Sequence, residues 1–509
     1  MANPIKIIEI SGTDWLSGIS VVPYTSIGGL FQQATNFDPF YKIGTHTPSL
    51  GPTEIGSGAT IAENIEAMIG YSADAGSVAH IICFANSSKA YDINTDDSTV
   101  SDQSANVNNL GTVQGAIKYK GRAIYASDGN VYSNQIPLVA SQTTILSGLS
   151  TAPHVMKIGP DRNLYVTNKD KIARITNVDA TTDNAASYLS FESDVVFRGL
   201  DDDGTHLVIV GDTNSVTPSS VLERNRCFVA FWNMKSQDLT KIWDFEDSSV
   251  GGVVCVENEV LIIGATNVYT CSVNSRPVPL LPGKENTSLL QNVNAPGAIT
   301  KNGSIALWGV GVAANSGPGE QKGAYVRGYG RRSPHTKKTL FTAYSLPEID
   351  ILISTAIRCI FMGSEATSFT APLWISTDNT KLYKYNTSNM TSTTKIAGID
   401  LKQPYEFSFA KVILSEKLAS GQSVDLEIKT DEGNNTVLKD SKDNANRFSF
   451  ATVGGKKSHI FYPEPLSLSA SSVATFEDLS DIQIRNIGAS IRRVEVWAKP
   501  IKADQDIYK

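Results

Sequence analysis

The sequence predicts an all-β fold, a degenerate β-propeller of five to seven blades followed by a β-sandwich or jelly roll. Three observations predict it. The 509 residues include 18 Tyr and 18 Phe, which suit pleated surfaces, and 39 Gly with 21 Pro, which suit many tight turns. A pattern of apolar strand, polar turn and second strand recurs at intervals of about forty to fifty residues. Near residue 400 that rhythm gives way to cleanly alternating strands.

The repeat is clearest in GPDRNLYVTNKDKIARITN (159–177). The strands NLYV and KIARI make one hairpin, and a single hairpin cannot bury its own apolar face. Copies lie at 118–134, 201–214, 257–273, 301–313 and 371–388, with a weaker one, AHIICFANSSKAYDIN, at 79–94. Their central strands fall near Ile124, Leu164, Leu207, Leu261, Leu307 and Trp374. A period of this size, with about four strands per unit, marks propeller blades that cover one another. Asp161, Asn168, Lys169 and Asp170 then read as turn residues. Unrelated hairpins in sandwiches are the competing expectation.

Three segments follow from this reading: an extended N-terminal docking segment over 1–75, the propeller over 76–400 and the sandwich over 401–509. The first is rich in Gly, Pro and Thr, and its aromatics Phe31, Phe37, Phe40 and Tyr41 are candidate tethers to a neighbouring surface. Thr60 and Glu63 make a capping-box pattern with Ile61, Ile65, Met68 and Ile69 on one face, which predicts a helix; a strand closing a sheet is the other expectation. In the last segment PYEFSFAKVILSEKL, SVDLEIKT, RFSFATV, SHIFY, SDIQIRN and SIRRVEVWAKP read as strands.

Charge and motifs narrow the chemistry. A net charge of −7 argues against a dedicated nucleic-acid binder, and no basic amphipathic helix points to a membrane surface. Five scattered cysteines, none in a CxxC pair, read as buried reduced thiols. The opening MANPIKIIEISGTDW lacks a charged region followed by an apolar one, so the expectation is a chain made in a cytoplasm. The sequence holds no HExxH, no GxSxG and no Walker A motif, and the expectation is no catalytic residue, no cofactor and no metal. The acidic turn DDDG (201–204) lacks the spacing of a calcium loop and reads as a solvated blade turn. One basic stretch, RGYGRRSPHTKK (327–338), makes Arg327, Tyr329, Arg331, Arg332, Lys337 and Lys338 candidates for contact with an acidic protein partner.

The order of parts carries a resemblance. A Gly- and aromatic-rich leader (GGLFQQATNFDPFYKIG) precedes degenerate blades containing LYVTNKDKIARI and CFVAFWN; a closing segment with FAKVILSEKLASGQSVDLEIK and IRRVEVWAKP follows. This resembles structural proteins of tailed-bacteriophage virions, found in tails, nozzles and tail-associated assemblies. The resemblance implies a non-enzymatic, multi-copy virion component of the tail or head–tail region. Its partners would be copies of itself and other virion proteins, without specific nucleic-acid or membrane binding. The alternative is a receptor- or carbohydrate-binding propeller whose partner is a host-surface receptor or glycan.

Overall fold

A computed structural model describes residues 3–11, 14–15, 33–35, 37, 45–56, 61–72, 79–87, 89–107, 111, 113–150, 154–213, 225–247, 249–265, 267–280, 296–302, 304–311, 324–330, 339–345, 356–363, 373–386, 390–430, 435–436, 438–439, 447–449, 455–463 and 475–500. The chain divides into two compact units. One takes residues 52–327 and 346–386; the other takes 1–51, 328–345 and 387–509.

Seven four-stranded sheets dominate. Blade 1 holds Ile65–Ser72, Ala79–Ala85, Lys89–Asn94 and Val100–Asp102; blade 2 holds Val113–Tyr119, Arg122–Ser127, Asn130–Asn134 and Thr143–Ser147. Blade 3 holds Met156–Ile158, Leu164–Asn168, Lys171–Ile175 and Ala185–Ser190; blade 4 holds Val196–Asp202, Leu207–Asp212, Asn225–Trp232 and Lys241–Asp247. Blade 5 holds Val250–Val256, Glu259–Gly264, Val268–Ser272 and Ser275–Pro279; blade 6 holds Ile299–Asn302, Ile305–Val310, Tyr325–Gly330 and Thr339–Ser345. Blade 7 joins Ile357–Met362, Leu373–Thr377 and Leu382–Asn386 to an earlier strand, Gly51–Ile55.

The first strand of each blade lies beside the first strand of the next, and blade 7 returns to blade 1, so the ring is closed. This is a seven-bladed β-propeller, at the upper end of the expected blade count. The six central strands read from the sequence are all second strands of blades. They are almost wholly apolar and buried on both faces, because each is covered by the blades on either side. Apolar clusters between successive blades form the core.

Two expectations are corrected here. The stretch read as a helix is the innermost strand of blade 1, Ile65–Ser72, in a chain whose described helices are single 3₁₀ turns. Its apolar residues fit a helical face only because a strand buried on both sides has no strict alternation. The propeller also begins before residue 76, since Gly51–Ile55 and Ile65–Ser72 are blade strands, and it ends at residue 386.

Apart from residues 328–345, which strand pairing places in blade 6, the other unit is built on a ten-stranded hydrogen-bonded network. Its spine runs Ile5–Ser11, Ile491–Pro500, Thr391–Leu414, Thr475–Ile487, Ser423–Thr430 and Asn435–Thr436. The strands expected after residue 400 are present, but they share this network with Ile5–Ser11 and Gln33–Thr35 from the start of the chain. Val412, Val424, Leu426, Ile482, Ile484, Val494 and Val496 form its core. Ile5–Ser11 and Ile491–Pro500 therefore pair in one sheet, and the propeller is inserted between them in sequence.

Candidate functional site

The innermost strands bring ionisable residues together around the propeller axis. Each pairs antiparallel with its second strand, so positions can be counted back from the end of each ladder. One residue before the last pair stand Tyr71, Lys118, Lys157, Asp201, Cys255, Lys301 and Phe361, one from each blade. Of these, Lys157, Asp201 and Lys301 meet in one ion-paired group.

Asp201 is the hub of that group. Its Oδ1 lies 2.5 Å from Lys157 Nζ, and Lys301 Nζ reaches both of its oxygens at 3.0 and 3.1 Å. Its Oδ2 also accepts the backbone N–H of Cys255 at 2.6 Å. Asp202 adds a second carboxylate, 3.0 Å from Lys157 Nζ and 3.9 Å from Lys301 Nζ. Burial pulls the Lys157 ammonium down, but Asp201 and Asp202 outweigh it and hold the group above its ordinary range. Burial pushes the Cys255 thiol well up, and Asp201 adds to the effect. The cluster ties together blades 3, 4, 5 and 6 by charge-assisted bonds.

Toward the other end, the innermost strands of blades 1, 2, 4, 5 and 7 each carry a register shift. The residues skipped are Glu66, Gln114, Arg198, Gly251 and Arg358. A bulge re-aims one residue out of the ladder. Glu66 and Arg358 face each other at 3.7 Å across blades 1 and 7, and Asn86 Nδ2 donates to Glu66 Oε1 at 3.1 Å. Burial raises the Glu66 carboxyl, against the opposing pull of Arg358 and Asn86. Arg198 pairs with the fully buried Asp212 of its own blade.

The turn Pro296–Ala298 leads into blade 6 yet rests on the innermost strands of blades 7, 1 and 2. A Cβ on Gly297 would stand 2.4 Å from the Glu66 carbonyl oxygen and 3.2 Å from that of Arg358, so only glycine fits there. The channel is thus packed by this turn near one end and bridged by Asp201 near the other.

Two histidine–aspartate pairs lie at the same end as Asp201. His80 Nδ1 is 3.1 Å from Asp92 Oδ1, and Tyr71 Oη donates to Asp92 Oδ2 at 2.7 Å. His206 Nδ1 is 3.1 Å from Asp203 Oδ2 in the turn of blade 4. Among the described residues no group of three or more His, Cys, Asp or Glu is placed to hold a metal ion. All five cysteines are buried and unbridged; burial pushes Cys227 and Cys271 to about 12.

The residues singled out in the sequence are not brought together. Phe37 is 1 % exposed, stacked on His46 in the core of the ten-stranded network, so it is not an exposed tether. Arg327 lies on an inner strand of blade 6 with its guanidinium 5.5 Å from the centre of the Tyr325 ring, and Tyr329 is buried on the same strand. Phe31, Phe40, Tyr41, Arg331, Arg332, Lys337 and Lys338 lie outside the described residues. The acidic turn is corrected in part. Asp203 does cap it, accepting the N–H groups of Thr205 and His206, but Asp201 is buried and ion-paired rather than solvated. Lys157 and Lys301, which the sequence did not single out, meet Asp201 only because the closed ring brings their blades together.

No family model and no curated protein matches the sequence. Solved structures similar to it include a chain of the mitotic checkpoint complex (TM-score 0.43, 13% identity, covering 67% of this chain and 92% of that one). Another is the Dos1 propeller (TM-score 0.39, 11% identity, covering 64% of this chain and 78% of that one). The propeller assignment stands on the seven sheets and their closed ring.

Proposed function

We propose that this chain is a non-enzymatic scaffold, built in multiple copies into the tail or head–tail region of a tailed-bacteriophage virion. The observation that carries the scaffold reading is the state of the ionisable groups in the channel. Asp201 binds two ammonium groups and a backbone N–H, and Glu66 faces Arg358, so these groups brace blades against one another. The virion part of the reading rests on the order of leader, blades and closing sheet in the sequence. Pairing Ile5–Ser11 with Ile491–Pro500, on either side of the propeller in sequence, suits a part that must resist force, since neither end of the insertion can fray independently. Its partners are then other virion proteins and further copies of the chain.

Immunogold electron microscopy of phage particles, using an antibody raised against this chain, tests the reading. Label at the tail or head–tail junction is expected. Particles without label, with the protein free in the host lysate, would overturn it.

A further inference from the structure

The strand Ile5–Ser11 forms one edge of the ten-stranded network. On one side it pairs with Ile491–Pro500, and among the described residues no strand pairs with its other side. A row of open backbone N–H and C=O groups is a template for another strand. Ile5 on this edge is 45% exposed.

We propose that this edge pairs antiparallel with the same strand of a second copy of the chain, about a two-fold axis between Ile7 and Ile8. The sequence of this strand suits such pairing. Residues 5–10 read Ile-Lys-Ile-Ile-Glu-Ile, which has the same chemistry in either direction with the charge reversed. About that axis Ile5 meets Ile10 of the second copy, Lys6 meets its Glu9 and Ile7 meets its Ile8. Shifting the register by one or two residues either way sets Lys6 against an uncharged residue. Opposite charges directly across an antiparallel pair stabilise it, and like charges oppose it.

The backbone of the strand suits it as well. The register against Ile491–Pro500 slips between Lys6 and Ile8. Ile7 and Ile8 consequently both pack on the core, while Lys6 and Glu9 share the outer face, where they form an ion pair. Residues opposite each other in an antiparallel pair point to the same face. The proposed register therefore sets Ile7 and Ile8, both packed on the core, against each other and outer charges against outer charges. The contact is isologous, as a two-fold axis requires. Six residue pairs make a small interface, so association is weak in dilute solution and strengthened wherever copies are concentrated.

This inference rests on the multi-copy part of the proposed function. Sedimentation equilibrium of the full chain over a wide concentration range tests it. The wild type is expected to dimerise reversibly. Lys6→Glu and Glu9→Lys each place like charges opposite one another and should weaken the dimer by about tenfold. The double variant K6E/E9K, and an equimolar mixture of the two single variants, should both restore it. Hydrogen exchange on the wild type should show protection of Ile5–Ile10 rising with concentration, a readout that needs no variant. A wild type that stays monomeric, a dimer indifferent to either substitution, or exchange that ignores concentration would overturn the pairing. A monomer that still labels particles removes this interface and leaves the virion reading standing; a dimer absent from particles does the reverse.

Discussion

His46 shows what one buried side chain contributes to this molecule. Its ring is stacked on Phe37 (4.6 Å, 14°) and meets Trp15 edge-on (5.2 Å, 70°). Asn486 Nδ2 lies 3.2 Å from its Nδ1 and donates to its carbonyl oxygen, and His46 exchanges two backbone bonds with Ile491. Complete burial pulls the imidazole down to about 3. In the unfolded chain it titrates near its ordinary value of 6.5, so between these limits only the unfolded state takes up a proton. The stability from a neutral His46 is therefore whole above about pH 6.5 and is lost as pH falls toward 3. His154 adds a second such group. Its two nitrogens face the carbonyl oxygens of Thr167 and Ser150, an arrangement that favours the cation, yet burial prevails and lowers it. Urea unfolding from pH 7.5 to 4 should show wild type losing stability faster than His46→Gln, by up to about 1.4 kcal/mol per pH unit. Parallel curves would show that His46 does not set this dependence.

Elements here are fixed by what they pack against. The Pro296–Ala298 turn and the innermost strand of blade 5 each carry a close-packed glycine, but the surroundings differ. A Cβ at Gly297 meets backbone carbonyl oxygens of two blades, which cannot move without shifting the ring. A Cβ at Gly252 stands 2.4 Å from the Cδ1 of Ile299, the far end of a side chain that can rotate. Gly297→Ala should accordingly cost about 2–3 kcal/mol and Gly252→Ala less than about 1 kcal/mol, read from denaturation midpoints. Equal costs would mean that the turn is not wedged in the channel. The outermost strand of blade 5, SRPVP, shows a different control: Pro277 and Pro279 remove two donors from an exposed edge and blunt it against pairing. Ile5–Ser11 has no proline, which is consistent with an edge kept available.

At the scale of the whole propeller, a ring must be held shut, and two devices do so. Gly51–Ile55 completes blade 7 beside a strand more than 300 residues later, with Lys381 Nζ 2.5 Å from Glu54 and Ser376 Oγ donating to the Ile65 carbonyl. Asp201 binds across the ring to blades 3, 5 and 6. Asp201→Ala would leave Lys157 and Lys301 with the more exposed Asp202 alone, and Cys255 N–H without its acceptor. Removing one partner of a buried ion pair costs about 3–5 kcal/mol, so D201A should unfold at clearly lower denaturant, while D202A should lose less than half as much. Similar losses for the two variants would show that Asp201 is not the hub.

The sequence by itself determined many of the strands. Period, turn residues and apolar runs located six of the seven second strands clearly, the seventh, Ala79–Ala85, as a weaker copy, and part of each long strand after residue 400, because those signals are local. Tertiary structure decided what these strands belong to. That residues 51–72 supply blade strands, and that Ile5–Ser11 lies beside Ile491–Pro500, depends on pairings hundreds of residues apart, which leave no trace in local periodicity. The helical reading of 61–69 failed for the same reason: whether both faces of a segment are covered is a property of its neighbours. Asp201 was legible as an acidic turn residue, but its burial was not. A carboxylate loses its water only when ammonium groups from other blades arrive to replace it, and the closing of the ring brings them there.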